Sequence, residues 1–282
     1  MSSPATTPPV GVASSVIAAS HTPGPFEAAL RARRDTGRKL LVPYVTGGYP
    51  GWADCVRAAA DAGADAIEIG IPFSDPVMDG PTIQLASDRA LKSGATPASV
   101  LDELRTIDAG VPLAVMTYVN VAYHAGWQRF ATWLRDAGVS AAILPDLPLE
   151  EVGPWAEVAD RVGVETVLLA APTAPDERLP RICARSRGFV YAVGLLGVTG
   201  ARAELAASAE VIAGRLKRVT DIPVLVGVGV STPEQAVQVS RTADGAVVGS
   251  VVVQEMIDDR GALGVGALVA SFRRSLDAAF AG

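Results

Sequence analysis

From residue 40 onward the chain repeats one alternation of apolar and polar positions. Short apolar runs rich in β-branched residues are separated by longer stretches whose apolar positions recur at helical spacing. The apolar runs fall at 40–45, 66–71, 113–117, 141–144, 166–170, 189–193, 224–228 and 246–248. Between them lie segments such as WADCVRAAADAGAD, PASVLDELRTIDAG, QRFATWLRDAGVS, EEVGPWAEVADRVGV and STPEQAVQVSRTAD. Several close on Ala-Gly or Val-Gly, a usual helix stop. Strands alternating with helices predict a parallel sheet with its crossovers outside. Eight such units predict a single-domain α/β chain, a (β/α)8 TIM barrel over residues 25–282. A doubly wound open sheet is the alternative, but no Pro/Gly/Ser-rich linker or composition break divides the units. A short amphipathic helix is expected over 26–34. Residues 1–24, rich in Ser, Ala, Thr and Pro, read as a loosely ordered extension.

One run breaks the apolar pattern. In AIEIGI (66–71) side chains alternate between faces, so Ile67, Ile69 and Ile71 share one side and Ala66, Glu68 and Gly70 the other. The isoleucines need a packed exterior, which turns Glu68 into the barrel among small neighbours. An enclosed carboxylate is costly without a partner or a task. Pairing to an arginine or to backbone N–H groups would account for it on the strand alone. The strand then runs into a turn-rich loop carrying Asp75 and Asp79, at the barrel end where active residues gather. Glycine turns follow the sixth, seventh and eighth strands at 194–200, 227–229 and 249. Such turns let backbone N–H groups approach an anion, and barrels commonly bind phosphate there.

Composition narrows the chemistry. Of 282 residues 49% are hydrophobic and 5% aromatic, so Ala, Val, Leu and Ile must fill a large core. A net charge of −6 argues against a nucleic-acid partner. No run suggests a membrane span or a secretory leader, and Cys55 and Cys183 lack metal or redox spacing, so a cytoplasmic chain with free thiols is expected. The count of two histidines, His21 and His124, argues against a three-ligand zinc site. Three lysines stand where none suits a Schiff base: Lys39 opens the first strand at the wrong end, and Lys92 and Lys217 lie in helix patterns as solvated surface groups. What remains is a carboxylate pair, Glu68 and Asp79, facing a phosphate cradle. That set fits proton-transfer chemistry on a small phosphorylated substrate.

The motifs PYVTGGYP (43–50), GADAIEIGIPFSDPVMDGPTIQ (63–84), MTYVN (116–120), PDLPLEE (145–151), APTAPDERL (171–179), GVTGAR (197–202), GVGVSTPEQA (227–236) and ADGAVVGS (243–250) resemble, in order, those of the tryptophan synthase alpha subunit family. The likeness covers roughly residues 26–275. It implies a (β/α)8 barrel and retro-aldol cleavage of indole-3-glycerol phosphate to indole and glyceraldehyde 3-phosphate, in tryptophan biosynthesis. The resemblance makes Glu68 the acid/base that protonates the departing indole carbon and Asp79 the carboxylate that bonds the indole N–H. It assigns Tyr44, Met116, Ile143 and Leu169 to an indole pocket and sets Tyr191 near the catalytic Glu. Thr199 becomes the loop residue that orders Asp79. Gly200, Gly229, Gly249 and Ser250 become the phosphate site.

The same resemblance implies a beta-subunit partner in an α2β2 heterotetramer. Pyridoxal phosphate is expected only in that partner, with no cofactor in this chain. Leu195 stands where many members carry arginine, Val121 where proline is common, and Val228 where phenylalanine or leucine is frequent; the N-terminal extension is long. These departures bear on loop closure and partner coupling, not on the two carboxylates. A stand-alone lyase releasing free indole, and a non-catalytic phosphate-binding barrel, are the alternatives.

Overall fold

The computed structural model describes residues 21–194, 202–227 and 229–281. Its elements run α1 (Pro25–Arg34), β1 (Leu40–Thr46), α2 (Trp52–Asp61), β2 (Ile67–Gly70), α3 (Pro81–Lys92), α4 (Pro97–Leu104), β3 (Leu113–Met116), α5 (Val119–Ala125), α6 (Trp127–Asp136) and β4 (Val139–Ile143). There follow α7 (Gly153–Val162), β5 (Glu165–Ala170), α8 (Arg178–Arg185), β6 (Val190–Ala192), α9 (Arg202–Lys217), β7 (Val224–Val226), α10 (Pro233–Ser240), β8 (Gly245–Val248), α11 (Ser250–Ile257) and α12 (Gly261–Phe280). The eight strands close into a parallel barrel in sequence order, β8 pairing with β1. Each lies on one of the eight apolar runs.

Strand alternation divides the core in two. Outward residues such as Ile67, Ile69, Val115 and Val226 join the helices in the larger cluster, with Trp52, Phe130 and Trp155 as its bulkiest fully buried members. Inward residues, among them Leu40, Val42, Ala66, Ala114, Ile143, Val167, Tyr191, Leu225 and Val247, pack against one another inside the barrel.

The helix expected at 26–34 closes the N-terminal end of the barrel. Pro25 at its first turn suits a helix start, Glu27 lies in that turn, and Arg31, Arg33 and Arg34 lie in the last, complementing the helix dipole at both ends. Its buried Phe26 and Leu30 enter the interior, where the Phe26 ring stacks on Phe189 with centroids 6.1 Å apart. The N–H groups of Phe26 and Glu27 donate to Glu165 at the base of β5, at 2.6 and 3.1 Å. His21 lies 2.8 Å from the Glu27 carboxylate.

Other charges at this end are structural. Asp65 accepts from the Leu41 N–H and from Arg33, Arg38 and Arg273. Lys39 donates to the Ala243 carbonyl. Lys217, expected as a solvated surface group, instead donates to both oxygens of the buried Asp244, which precedes β8 and also accepts the Val224 N–H of β7, the strand on which α9 packs. Lys92 stays exposed and pairs with Asp88 one helical turn back.

Candidate active site

The opposite, C-terminal end of the barrel gathers the candidate site residues. Glu68 sits on β2 between Tyr44 of β1 and Ala114 of β3, its register partners. With Ala66 and Ala114 as small interior neighbours, the carboxyl has room but little water: Glu68 is 1% exposed. Neither of its oxygens has a hydrogen-bond partner among the described residues. Burial, reinforced by the nearby charge of Asp79, pushes its pKa up to about 8. It is therefore held protonated at neutral pH, with a proton it can give.

Asp79 arrives from the β2–α3 loop. The loop is knitted by the Val77 N–H to Asp75 O bond, the Asp79 N–H to Pro76 O bond and the Gln84 side-chain amide, which donates to the Asp79 carbonyl at 2.8 Å. Tyr118, just after β3, anchors it from the other side. Its ring stacks on Phe73 at 5.1 Å, and its hydroxyl accepts the Met78 N–H at 2.8 Å. Burial raises the Asp79 pKa, and a hydrogen bond from the same Tyr118 hydroxyl opposes that rise. Asp75, by contrast, is exposed and takes a hydrogen bond from Ser74.

The apolar residues expected around an indole ring meet at this mouth. Met116 and Ile143 end β3 and β4 in register, and Leu169 of β5 pairs with Tyr191 of β6. Tyr44 leans over Gly70 at the end of β2, and Tyr191 over Gly227 just past β7. A Cβ on Gly70 would fall inside the Tyr44 phenol, and one on Gly227 inside the Tyr191 phenol. Burial, with the surrounding carboxylates, holds both phenols well above the usual tyrosine range.

Comparison with known proteins identifies the family. A family described as Tryptophan synthase alpha chain matches residues 30–268. The chain belongs to the tryptophan synthase alpha chain family. It is 46% identical to the tryptophan synthase alpha chain of Streptomyces coelicolor over 234 residues, 81% of this chain and 86% of that one. It is 45% identical to that of Thermobifida fusca over 229 residues, 79% of this chain and 85% of that one. Among solved structures, tryptophan synthase of Mycobacterium tuberculosis aligns over 90% of this chain and 99% of its own at 36% identity and TM-score 0.83. The tryptophan synthase alpha subunit of Legionella pneumophila aligns over 91% and 100% at 31% identity and TM-score 0.81. The chain is thus an alpha-subunit lyase of tryptophan biosynthesis, cleaving indole-3-glycerol phosphate.

In this alpha chain two of the expected phosphate glycines have different local reasons. Gly229 has φ +83°, a left-handed conformation that favours glycine. Gly249 caps α11 at φ −106°, and a Cβ there would meet nothing closer than Ile83 at 3.7 Å and Tyr44 at 3.8 Å. Neither backbone nor packing demands glycine at 249, so its bareness leaves the α11 N-terminus open to an approaching anion. Ser250 is the exposed first residue of that helix. Thr199, Gly200, Leu195 and Val228 lie outside the described residues. Val121 lies in α5 and packs against the outer core. Sequence reading missed Tyr118 and Thr46. Both stand at the C-terminal end of a barrel strand, the placement that could have singled them out.

Proposed function

We propose that Glu68 and Asp79 carry the cleavage as a proton-transfer pair. The neutral Glu68 gives its proton to the ring carbon that bears the glyceryl chain. Asp79 accepts the indole N–H and stabilises the positive charge that develops on the ring. The Glu68 carboxylate then takes the proton of the adjacent glyceryl hydroxyl, the carbon–carbon bond breaks, and indole and glyceraldehyde 3-phosphate leave. Tyr44, Met116, Ile143, Leu169 and Tyr191 wall the indole. Gly200, Gly229, Gly249 and Ser250 hold the phosphate, and Thr199 orders Asp79. Proton transfers alone suffice to break the carbon–carbon bond in these steps, so we assign no cofactor to this chain and leave pyridoxal phosphate to the partner.

The observation that carries this reading is the pair of buried, unpartnered oxygens on Glu68 at the barrel mouth. A structural glutamate would be expected to spend them on an arginine or on backbone N–H groups, as Glu165 does. The test is Glu68→Gln. Loss of acid–base catalysis lowers indole release by about 10²–10⁴-fold. A variant that keeps wild-type cleavage would make Glu68 a structural residue.

We also propose a beta-subunit partner in an α2β2 assembly in the cytoplasm. Val77 is 80% and Tyr123 72% exposed, large apolar groups on the β2–α3 loop and α5 next to the site. Apolar exposure concentrated there favours a docking partner over a stand-alone lyase. Among the described residues no helix is long and apolar enough to cross a membrane.

A further inference from the structure

One corner of the site holds more polar atoms than the proton-transfer pair uses. β1 directs Tyr44 and Thr46 to the inner face, where Tyr44 registers with Glu68 and Thr46 with Gly70. The Tyr44 ring tilts across to β2, and its hydroxyl occupies the place a Gly70 side chain would take. Thr46 is fully buried, and its Oγ1 has no well-aligned hydrogen bond among the described residues, although it lies close enough to the Tyr44 phenol to stabilise its ionised form. Both Glu68 oxygens are thus enclosed and unpartnered, and the Thr46 hydroxyl faces the seated phenol without a well-aligned bond. Such groups are costly unless a later state pairs them.

We propose that the Tyr44 hydroxyl, seated on Gly70 and backed by Thr46, is a positioning residue that donates a hydrogen bond to Glu68 once Glu68 has given up its proton. The inference rests on Glu68 being the acid/base. In the first step the Glu68 O–H bond breaks and a C–H bond forms on the indole ring, leaving a carboxylate in an enclosed site. The Tyr44 O–H turns toward that carboxylate and keeps its own proton, while Thr46 donates to the phenol oxygen. In the second step the carboxylate takes the glyceryl hydroxyl proton as the carbon–carbon bond breaks, and the corner returns to its starting state. No net proton is gained or lost.

The titratable neighbours are consistent with a donor role. Asp79 from the β2–α3 loop acts electrostatically on both Tyr44 and Glu68, Glu68 and Tyr44 act in turn on Tyr191 of β6, and Tyr118, which hydrogen-bonds Asp79 and the Met78 N–H, adds a smaller effect on Tyr44. Burial, with Asp79 and, once it has given up its proton, Glu68, keeps the Tyr44 phenol protonated, so it can give a hydrogen bond but not its proton.

The experiment compares the full chain with Tyr44→Phe, Thr46→Val and Glu68→Gln in indole formation from indole-3-glycerol phosphate across pH. Tyr44→Phe is expected to lower kcat about 10–100-fold, the scale of a lost hydrogen bond to a charge, with KM nearly unchanged. Its basic limb should move to higher pH, because ionised Glu68 has lost a donor. Thr46→Val should shift the limb in the same direction by less, and adding it to Tyr44→Phe should cost nothing more. Wild-type kcat and an unmoved limb in Tyr44→Phe, with only KM raised, would make Tyr44 a pocket wall and overturn the proposal. If Tyr44→Phe were unfolded by circular dichroism, an unmoved limb in Thr46→Val would overturn it instead. An active Glu68→Gln would sink the acid/base reading itself, a separate failure.

Discussion

At the scale of single residues, the site turns on how two carboxylates share one enclosure. Burial is the larger cause of the raised Glu68 pKa, and the Asp79 charge adds to it. A raised carboxylate is protonated over a wider pH range, so cleavage should persist through neutrality and fall as pH rises through about 8. Asp79→Asn removes the neighbouring negative charge. It should bring the Glu68 pKa down, moving the basic limb of kcat to lower pH while kcat itself falls. A limb that stays in place would mean that the two carboxylates do not interact. Tyr118 belongs to the same economy: its hydroxyl ties both the Met78 backbone and the Asp79 carboxyl to the end of β3.

At the scale of elements, each strand divides its labour between ends. β2 is held at its start by Asp65, which gathers Arg33, Arg38, Arg273 and the Leu41 N–H, and delivers Glu68 toward the other end. β5 likewise receives α1 on Glu165 at its base and offers Leu169 near the mouth. α1 is the floor of the barrel. Phe26→Ala should cost about 3–5 kcal/mol of stability, since the cavity opens beneath Phe189 where no neighbouring helix can fill it. Denaturant unfolding measures the loss, and the remaining folded enzyme should keep its kcat because the floor lies at the end opposite Glu68. A variant as stable as the parent would show that the floor is not part of the core.

At the scale of the whole molecule, the loop that supplies Asp79 also forms part of the outer surface. Its exposed Val77 and the exposed Tyr123 of α5, which meets Trp127 edge-on at 5.7 Å, flank the mouth. A partner covering this face would press on the loop that positions Asp79. The double variant Val77→Ser, Tyr123→Ser should weaken complex formation with a beta subunit by roughly tenfold or more, as loss of central apolar anchors does. Its unstimulated cleavage should match the parent. Size-exclusion and stimulation assays decide; undiminished stimulation would move the partner's footprint elsewhere.

The barrel was legible in the sequence because its signals are local. Period-2 strands, helical spacing and glycine stops each depend on nearby residues, and eight repetitions leave few ways to close a sheet. Glu68 stood out for the same reason, as a charge on the small-residue face of an isoleucine strand. Its partnerless state was not legible, since an arginine anywhere in the chain could have met it; only the fold sends the arginines near β2 to Asp65 at the other end. Lys217 shows the same limit from the other side, because its partner Asp244 is 27 residues away along the chain. Tyr118 and the Gly70 seat for Tyr44 are contacts between strands and loops distant in sequence, which no local pattern encodes. Sequence alone therefore determined the strands, their inward and outward faces and the candidate acid. Tertiary structure decided which polar atoms meet, because pairing and desolvation depend on distances that exist only once the barrel has closed.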